Sequence, residues 1–440
     1  MPRGVCGVIR IRSLGCTLSF GSTGATTPKS DAQQRRIAAV TSLAAAFVIP
    51  IVIIAAMPPI GSAAYLPGLP TVTDDFSVSA SATQLTLTLY FVGMALGQLF
   101  IGPISDNFGR RRPLIIGLIT FVVFSVLVAL SPSLEVMLLF RLLQGMAASS
   151  GAVLGRAIVA DIASGARAAR VMSVIAAAGM LVPAFAPLFG SGILQFGDWR
   201  TIFLVLAAIG AGVGVWTFIV VPETHPKFVK HDELRKTHAG AQKKLPQKPH
   251  LGRFVLYAAA VALTFATSYA MISAGPFVFQ KVYGLSESQY ALTMVVLAGT
   301  MAFVGMVGSR YMGVETRFGV VTPERVVTFG LGWASFFAIF VVIAAITQAN
   351  VFVLLASLIV TTAPLSIALG SATALAMQAS PLKHGMSSGL IGAIQSLGGA
   401  LAPPLVGVLG ADPRPMAWTV IGAAGLALLA SQLTRFIGRS

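Results

Sequence analysis

Asp106, Gly109 and three consecutive arginines stand together in Gly102-Pro-Ile-Ser-Asp106-Asn-Phe-Gly109-Arg110-Arg111-Arg112, between two long apolar runs. At a membrane–water boundary their chemistry is that of an ion-pair network. A carboxylate such as Asp106 can face the positive end of a neighbouring helix. Arg110 can reach a second carboxylate, and Asp161, at the end of a later apolar run, is the natural candidate. Gly102 suits the close approach of a neighbouring helix, and Gly109 suits a tight turn. The plainer alternative is orienting charge beside a turn. Another arginine, in Arg141-Leu-Leu-Gln144-Gly145, lies about seven residues into an apolar run. Charge there is costly unless it faces a cavity or a partner. Arg141 is therefore read as lining a central cavity, with snorkelling to the outer surface as the alternative.

The remaining reactive side chains argue against most other chemistry. The fourteen acids fall in tails, loops or span ends, among them Asp74, Asp75 and Glu135. The five histidines (His225, His231, His238, His250 and His384) all lie outside the apolar runs. Cys6 and Cys16 both sit near the N-terminus and form no metal-ligand spacing with histidine. With no intramembrane His/Glu pair, Ser/Lys dyad or nucleotide loop, neither an enzyme nor a bound cofactor or metal is expected.

Composition says what must position these groups. Of 440 residues, 56% are hydrophobic and only 10% charged, with mean hydropathy +0.85. A soluble domain carries about 25% charged residues, so most of this exterior must face lipid. Apolar segments long enough to span a bilayer run over about 38–68, 83–105, 113–131, 134–161, 169–194, 199–221, 252–275, 288–310, 323–346, 349–378, 384–410 and 414–435. The expected fold is thus an all-α membrane protein of twelve helices in two six-helix bundles. The expected divisions are a basic tail (1–36), a first bundle (37–222), a linker (223–251) and a second bundle (252–436). The net charge of +16 could suggest nucleic acid, but the basic residues alternate between gaps: 25 on the linker side against Arg200, Lys281 and Arg414 opposite. That asymmetry reads as membrane orientation, with both termini cytoplasmic and no nucleic-acid partner. The tail lacks a continuous apolar stretch, which argues against a cleaved signal peptide.

The 102–112 segment resembles the signature loop of the major facilitator superfamily. Residues Arg141–Gly145 are similar to that family's intramembrane arginine motif. Gly179-Met-Leu-Val-Pro183-Ala-Phe-Ala-Pro187-Leu-Phe-Gly190 resembles its helix-5 antiporter motif, with Ala186 and Ser191 in place of two glycines. Pure helix packing is the alternative for that stretch. Tyr65-Leu-Pro67-Gly-Leu-Pro70, Asp198-Trp199-Arg200, Pro222-Glu223-Thr224, Ala274-Gly275-Pro276-Phe277-Val278 and Gly385 through Gly399 look like the bicyclomycin and chloramphenicol resistance branch. Prolines recur in matching helices of the halves (Pro67 and Pro276; Pro183 and Pro187, Pro403 and Pro404), and Gly308 to Gly319 is a degraded echo of the signature loop. The resemblance implies a monomeric multi-pass transporter of the plasma membrane, in a bacterium the inner membrane. It further implies alternating-access export of small amphipathic drugs in exchange for protons, and a cytoplasmic latch between the halves at Asp106, Arg110 and Asp161.

One position departs from that branch. An aspartate is expected two residues before Tyr65, and Ala63 stands there. No other central proton acceptor is visible, leaving coupling through a peripheral carboxylate (Asp106, Asp161, Glu135 or Asp75) or no coupling. The candidate substrate pocket is Tyr65, Tyr90, Arg141, Tyr269, Phe277, Met377 and Gln395, apolar walls with a few polar groups. Arg141 without a central acid disfavours strongly cationic substrates. The alternatives are an uncoupled facilitator, a metabolite uptake transporter, or a non-transporting membrane receptor.

Overall fold

The computed structural model describes residues 49–162, 182–183, 185–225, 228, 250–316, 319–382, 384–407 and 412–437. The expected tail (1–36), the first part of the expected first span (38–48), much of the expected fifth span (169–181 and 184, Gly179 included) and most of the 223–251 segment lie outside the described residues. The elements are α1 (Ile49–Asp75), α2 (Ala80–Phe108), α3 (Arg111–Ala129), α4 (Leu134–Ile162), α5 (Phe185–Leu194) and α6 (Trp199–Val220), followed by α7 (Leu251–Val282), α8 (Glu287–Arg310), α9 (Pro323–Ile346), α10 (Val351–Ala379), α11 (His384–Gly407) and α12 (Pro413–Leu433). All except α5 are long and apolar enough to cross a membrane.

Polar residues start the helices where the apolar runs begin. Ser79, Asp198, Thr322, Asn350 and Asp412 each accept a hydrogen bond from a backbone N–H of the first turn. Ser286 and Gln289 satisfy one another's backbone N–H in a capping box. Prolines set the breaks. α1 tightens to a 3₁₀ turn at Leu66–Gly68, around Pro67, before continuing to Asp75, so it runs past the expected end at 68. The last part of α7, Pro276–Val282, is wound as a π-helix. Pro364 interrupts α10.

Between α8 and α9 the chain forms a two-residue antiparallel pair, β1 (Glu315–Thr316) with β2 (Gly319–Val320). The expected second-half copy of the signature loop is thus a short hairpin, and Arg325 donates to its Val320 carbonyl (3.1 Å). The all-α fold class holds, with this two-residue pairing confined to one connection between helices.

In the first half α2 packs on α4, and α3 on both α4 and α6; in the second, α7 packs on α10, α11 and α12. Helices 2 and 4 lie so close that a methyl group on Gly93 or Gly145 would overlap the facing backbone carbonyl, of Leu142 and Tyr90 respectively. Helices 2 and 11 form the long seam between the halves.

The core is divided unequally. Near the ends of α1 and α7 a single apolar cluster joins the halves, with Tyr65, Phe91 and Phe203 on one side and Tyr269, Phe277 and Val420 on the other. Toward the end that carries Arg110–Arg112, called here the basic end, it separates. The first half keeps its own cluster of Ile51, Leu114, Leu154 and Val213. The second keeps Phe254, Val327, Leu375 and Ile391.

Candidate functional site

The basic-end cluster is built from a turn. Gly109 closes α2 at φ +86°, a left-handed conformation that favours glycine. The chain then reverses into α3, and Arg110 points back across the end of the bundle. Its Nη1 donates to Asp106 Oδ1 (2.7 Å) and to Ser105 Oγ (2.5 Å), and its Nε donates to Asp161 Oδ2 (3.0 Å). Arg111 Nη2 donates to the Phe218 carbonyl (2.6 Å), and its guanidinium lies 5.2 Å from the Phe218 ring.

Among the described residues Gly102 shows no close approach: a methyl group there would meet nothing within 4 Å, on a partly open face of α2. The expected latch between halves is also not how Arg110 is bonded: Ser105, Asp106 and Asp161 all belong to the first half. In this conformation Arg110 braces one bundle.

Glu223, just past α6, completes the brace. Oε1 accepts from the backbone N–H groups of Arg110 (2.8 Å), Thr224 (3.0 Å) and His225 (2.9 Å), and Oε2 accepts from Arg111 N–H (3.2 Å). Burial alone would raise its carboxyl, but the four N–H groups outweigh burial and hold it below the usual range. His225 Nε2 lies 3.9 Å from Asp106 Oδ1. Burial and the Arg110 charge push its imidazole down, against the pull of Asp161, Asp106 and Glu223. Sequence reasoning set His225 aside and gave Glu223 no role. Its Pro-Glu-Thr motif was visible, but the bonds to Arg110 and Arg111, more than a hundred residues away, use backbone N–H groups and leave no sequence signal.

Inside the first half, Arg141 is fully buried. Its guanidinium carbon lies 4.6 Å from the Tyr65 ring centre, 4.3 Å from that of Tyr90 and 5.4 Å from that of Phe203. Nη1 donates to the Gly61 carbonyl (3.0 Å) and Gln144 Oε1 (2.6 Å), and Gln144 donates in turn to Ser125 Oγ (2.7 Å). Among the described residues Nε and Nη2 have no hydrogen-bond partner. Tyr90 donates to the Pro58 carbonyl (2.9 Å), and Tyr65 pairs with Thr86. Tyr65, Tyr90 and Arg141 therefore form a packed polar knot linking α1, α2, α3, α4 and α6, with no exposed surface in this conformation. The hydrogen bonds to Gly61 and Gln144 and the cation–π contacts offset part of the cost of burying this charge.

Tyr269 lies between the halves, its ring centre 4.6 Å from both Phe91 and Phe265. Phe277 is buried at the start of the π segment, whereas Met377 on α10 and Gln395 on α11 are partly exposed. The seven nominated pocket residues thus divide between a buried knot, the junction and the second-half wall. Ala63 is buried in the apolar cluster joining the halves. Of the helix-5 residues, Pro183 is half-buried and Pro187 buried, and a methyl group on Gly190 would strike the Ala64 carbonyl. Among the described residues no group of three or more His, Cys, Asp or Glu is arranged to hold a metal.

At the opposite end the bonds do cross between halves. Lys281 Nζ donates to Asp74 Oδ2 (2.7 Å), Gln280 Nε2 to the Pro67 carbonyl (3.1 Å) and Gln84 Nε2 to the Ser273 carbonyl (3.4 Å). Asp75 ties α1 to α6 by accepting from Trp199 Nε1 (3.1 Å) and from Arg200. A further cross-half bond, Gln98 Nε2 to Ser396 Oγ (3.3 Å), lies along the α2–α11 seam.

Comparison with known proteins agrees with this architecture. Residues 51–403 match the family described as Major Facilitator Superfamily. An uncharacterized MFS-type transporter, YdgK, of Bacillus subtilis is 32% identical over 369 residues, covering 82% of this chain and 89% of the relative. A bicyclomycin resistance protein homolog of Haemophilus influenzae is 28% identical over 387 residues, covering 87% and 94%. The fold is similar to that of a bacterial homolog of the human lysosomal transporter Spinster, solved in an inward-facing and occupied conformation. The TM-score is 0.69 at 17% identity, over 89% of this chain and 96% of that one. A helical scaffold of two six-helix halves, a braced signature loop and a family match over most of its length make this chain a membrane transporter of the Major Facilitator Superfamily, not an enzyme.

Proposed function

We propose that the protein exports small amphipathic drugs, of the bicyclomycin or phenicol kind, from the cytoplasm by alternating access, in exchange for protons. The observation that carries the alternating-access reading is the divided core: one apolar cluster joins the halves at the end opposite Arg110, and two separate clusters remain at the basic end. Such a molecule is closed at one end and parted at the other. The basic end is assigned to the cytoplasm because Lys and Arg are retained there, which makes this conformation closed toward the outside. On this reading 37–222 and 252–436 are the moving halves of a monomer, 223–251 is the linker and 1–36 a cytoplasmic tail, in the inner membrane of a bacterium.

Substrate class follows from the relative named for bicyclomycin resistance and from the apolar, aromatic junction at Phe91, Phe265 and Tyr269. Gln395 and Met377 supply wall from the second half, while Tyr65, Tyr90 and Arg141 act as the rigid backing of the first. Ala63 favours a second reading, uncoupled facilitation, because it leaves the apolar junction without a carboxylate. Proteoliposomes separate the two. A change in internal pH on adding chloramphenicol supports antiport. Labelled chloramphenicol that moves without a pH change, indifferent to an imposed gradient, supports the uncoupled facilitator. Absence of flux for a panel of such drugs would overturn drug export.

A further inference from the structure

We infer that Glu223 is the positioning residue of the basic-end brace, holding the Arg110 backbone so that its guanidinium spans Asp106 and Asp161. Arg110 must reach two carboxylates on different helices from a single turn. A long side chain in one geometry loses conformational entropy, and a loop end alone does not supply the restraint. Glu223 does so by gathering N–H groups from two separate segments: Arg110 and Arg111 at the start of α3, and Thr224 and His225 at the exit from α6. Charge-assisted bonds of this kind are about twice as strong as neutral ones.

Two further features fit the carboxylate to the turn. The space that a side chain on Gly109 would need is filled by the Glu223 carboxylate, so the φ of +86° and the acid are matched. Arg111 donates to the Phe218 carbonyl one turn earlier, anchoring the same loop to the same helix end. Covalently, residue 223 also opens the chain that leads to the second half. A displacement of that chain is therefore felt first by the bonds that orient Arg110.

The two carboxylate oxygens are unequal: Oε1 takes three N–H groups and Oε2 takes one. Glutamine can keep the three, but its amide would face the Arg111 N–H donor. Alanine keeps none. The order of effect should be Glu223→Gln mild and Glu223→Ala severe.

The test needs no substrate, so it stands apart from the drug-export reading. Spin labels on Ile49→Cys and Tyr311→Cys, both exposed at the basic end, are placed in a C6S/C16S background. Pulsed dipolar spectroscopy then reads the distance distribution between the halves, with melting temperature measured in parallel. Glu223→Ala should shift and broaden the distribution as much as Arg110→Ala, Glu223→Gln should do so less, and the double variant should match Arg110→Ala alone. Additive effects of Glu223→Ala and Arg110→Ala would overturn the inference, as would a Glu223→Ala distribution identical to wild type. So would a melting loss from Glu223→Ala that persists undiminished in the Arg110→Ala background, since a merely structural role would leave the two independent.

Discussion

Lys281 and Asp74 form an ion pair that joins the halves at the end opposite the basic loop, and its weight can be worked from its setting. The atoms are 2.7 Å apart, with side chains 46% and 64% exposed. Coulomb attraction at that distance in bulk water is about 1.5 kcal/mol. The cost of fixing two mobile side chains and screening by salt reduce the net to roughly 0.2–1 kcal/mol for exposed pairs. Lys281→Ala should therefore lower the closed-to-open ratio at this end by about 1.4- to 5-fold. Lys281→Asp should do more, because two carboxylates then face one another across the halves. Labels on Phe196→Cys and Phe352→Cys, exposed at this end, in a C6S/C16S background report the ratio by pulsed dipolar spectroscopy. The exchanged pair Asp74→Lys with Lys281→Asp should restore the wild-type ratio. About 1 M salt, where the Debye length is near 3 Å, should shift wild type toward Lys281→Ala. An exchanged pair that stays as open as the single variants would refute the reasoning, as would a wild-type ratio indifferent to salt.

Four further outcomes are expected. Gly145→Ala should cost about 1–3 kcal/mol by overpacking, seen as a lower melting temperature, because its methyl group would strike the Tyr90 carbonyl. Gly102→Ala, with nothing within 4 Å beyond its chain neighbours among the described residues, should leave stability nearly unchanged, because the helix preference of alanine is opposed by Pro103, whose ring crowds a Cβ on the preceding helical residue. His225 is depressed within the brace, so brace stability is present above the unperturbed value near 6.5 and is lost as pH falls through the depressed one. Melting temperature should drop as pH falls below about 6.5 toward the depressed value, and His225→Gln should flatten that step. Arg141→Lys should destabilise by about 2 kcal/mol. A single ammonium cannot both stack between the Tyr65 and Tyr90 rings and serve Gly61 and Gln144, and thermal unfolding in detergent measures the loss.

Much of the architecture is legible in the residues. A run of about twenty apolar side chains has one low-energy fate in a bilayer, since every backbone group must be bonded within the segment. Among the described residues the helix positions followed from that alone, apart from ends set by local geometry, such as the 3₁₀ turn that carries α1 on to Asp75. Arg110 with Asp161 was also accessible, because a charged side chain at the end of an apolar run has few partners to choose from. Gly102 was misjudged for the opposite reason: a glycine is equally consistent with close approach and with open space, and only its neighbours distinguish them.

The finer site needed the tertiary structure. Glu223 acts on backbone N–H groups, which every residue carries and no sequence marks. Arg141 was expected at a cavity surface, yet the Tyr65, Tyr90 and Phe203 rings enclose it. That enclosure depends on how α1, α2, α4 and α6 pack, not on spacing within any one of them. The amino-acid sequence by itself determined that this is a helical membrane protein, because hydropathy and the placement of basic residues are properties of single segments, while its likeness to the facilitator family rested on the motif residues of 102–112 and 141–145. Which carboxylates hold which arginine, and at which end the halves touch, was decided only by packing, because those pairings join residues 51 to more than 200 positions apart.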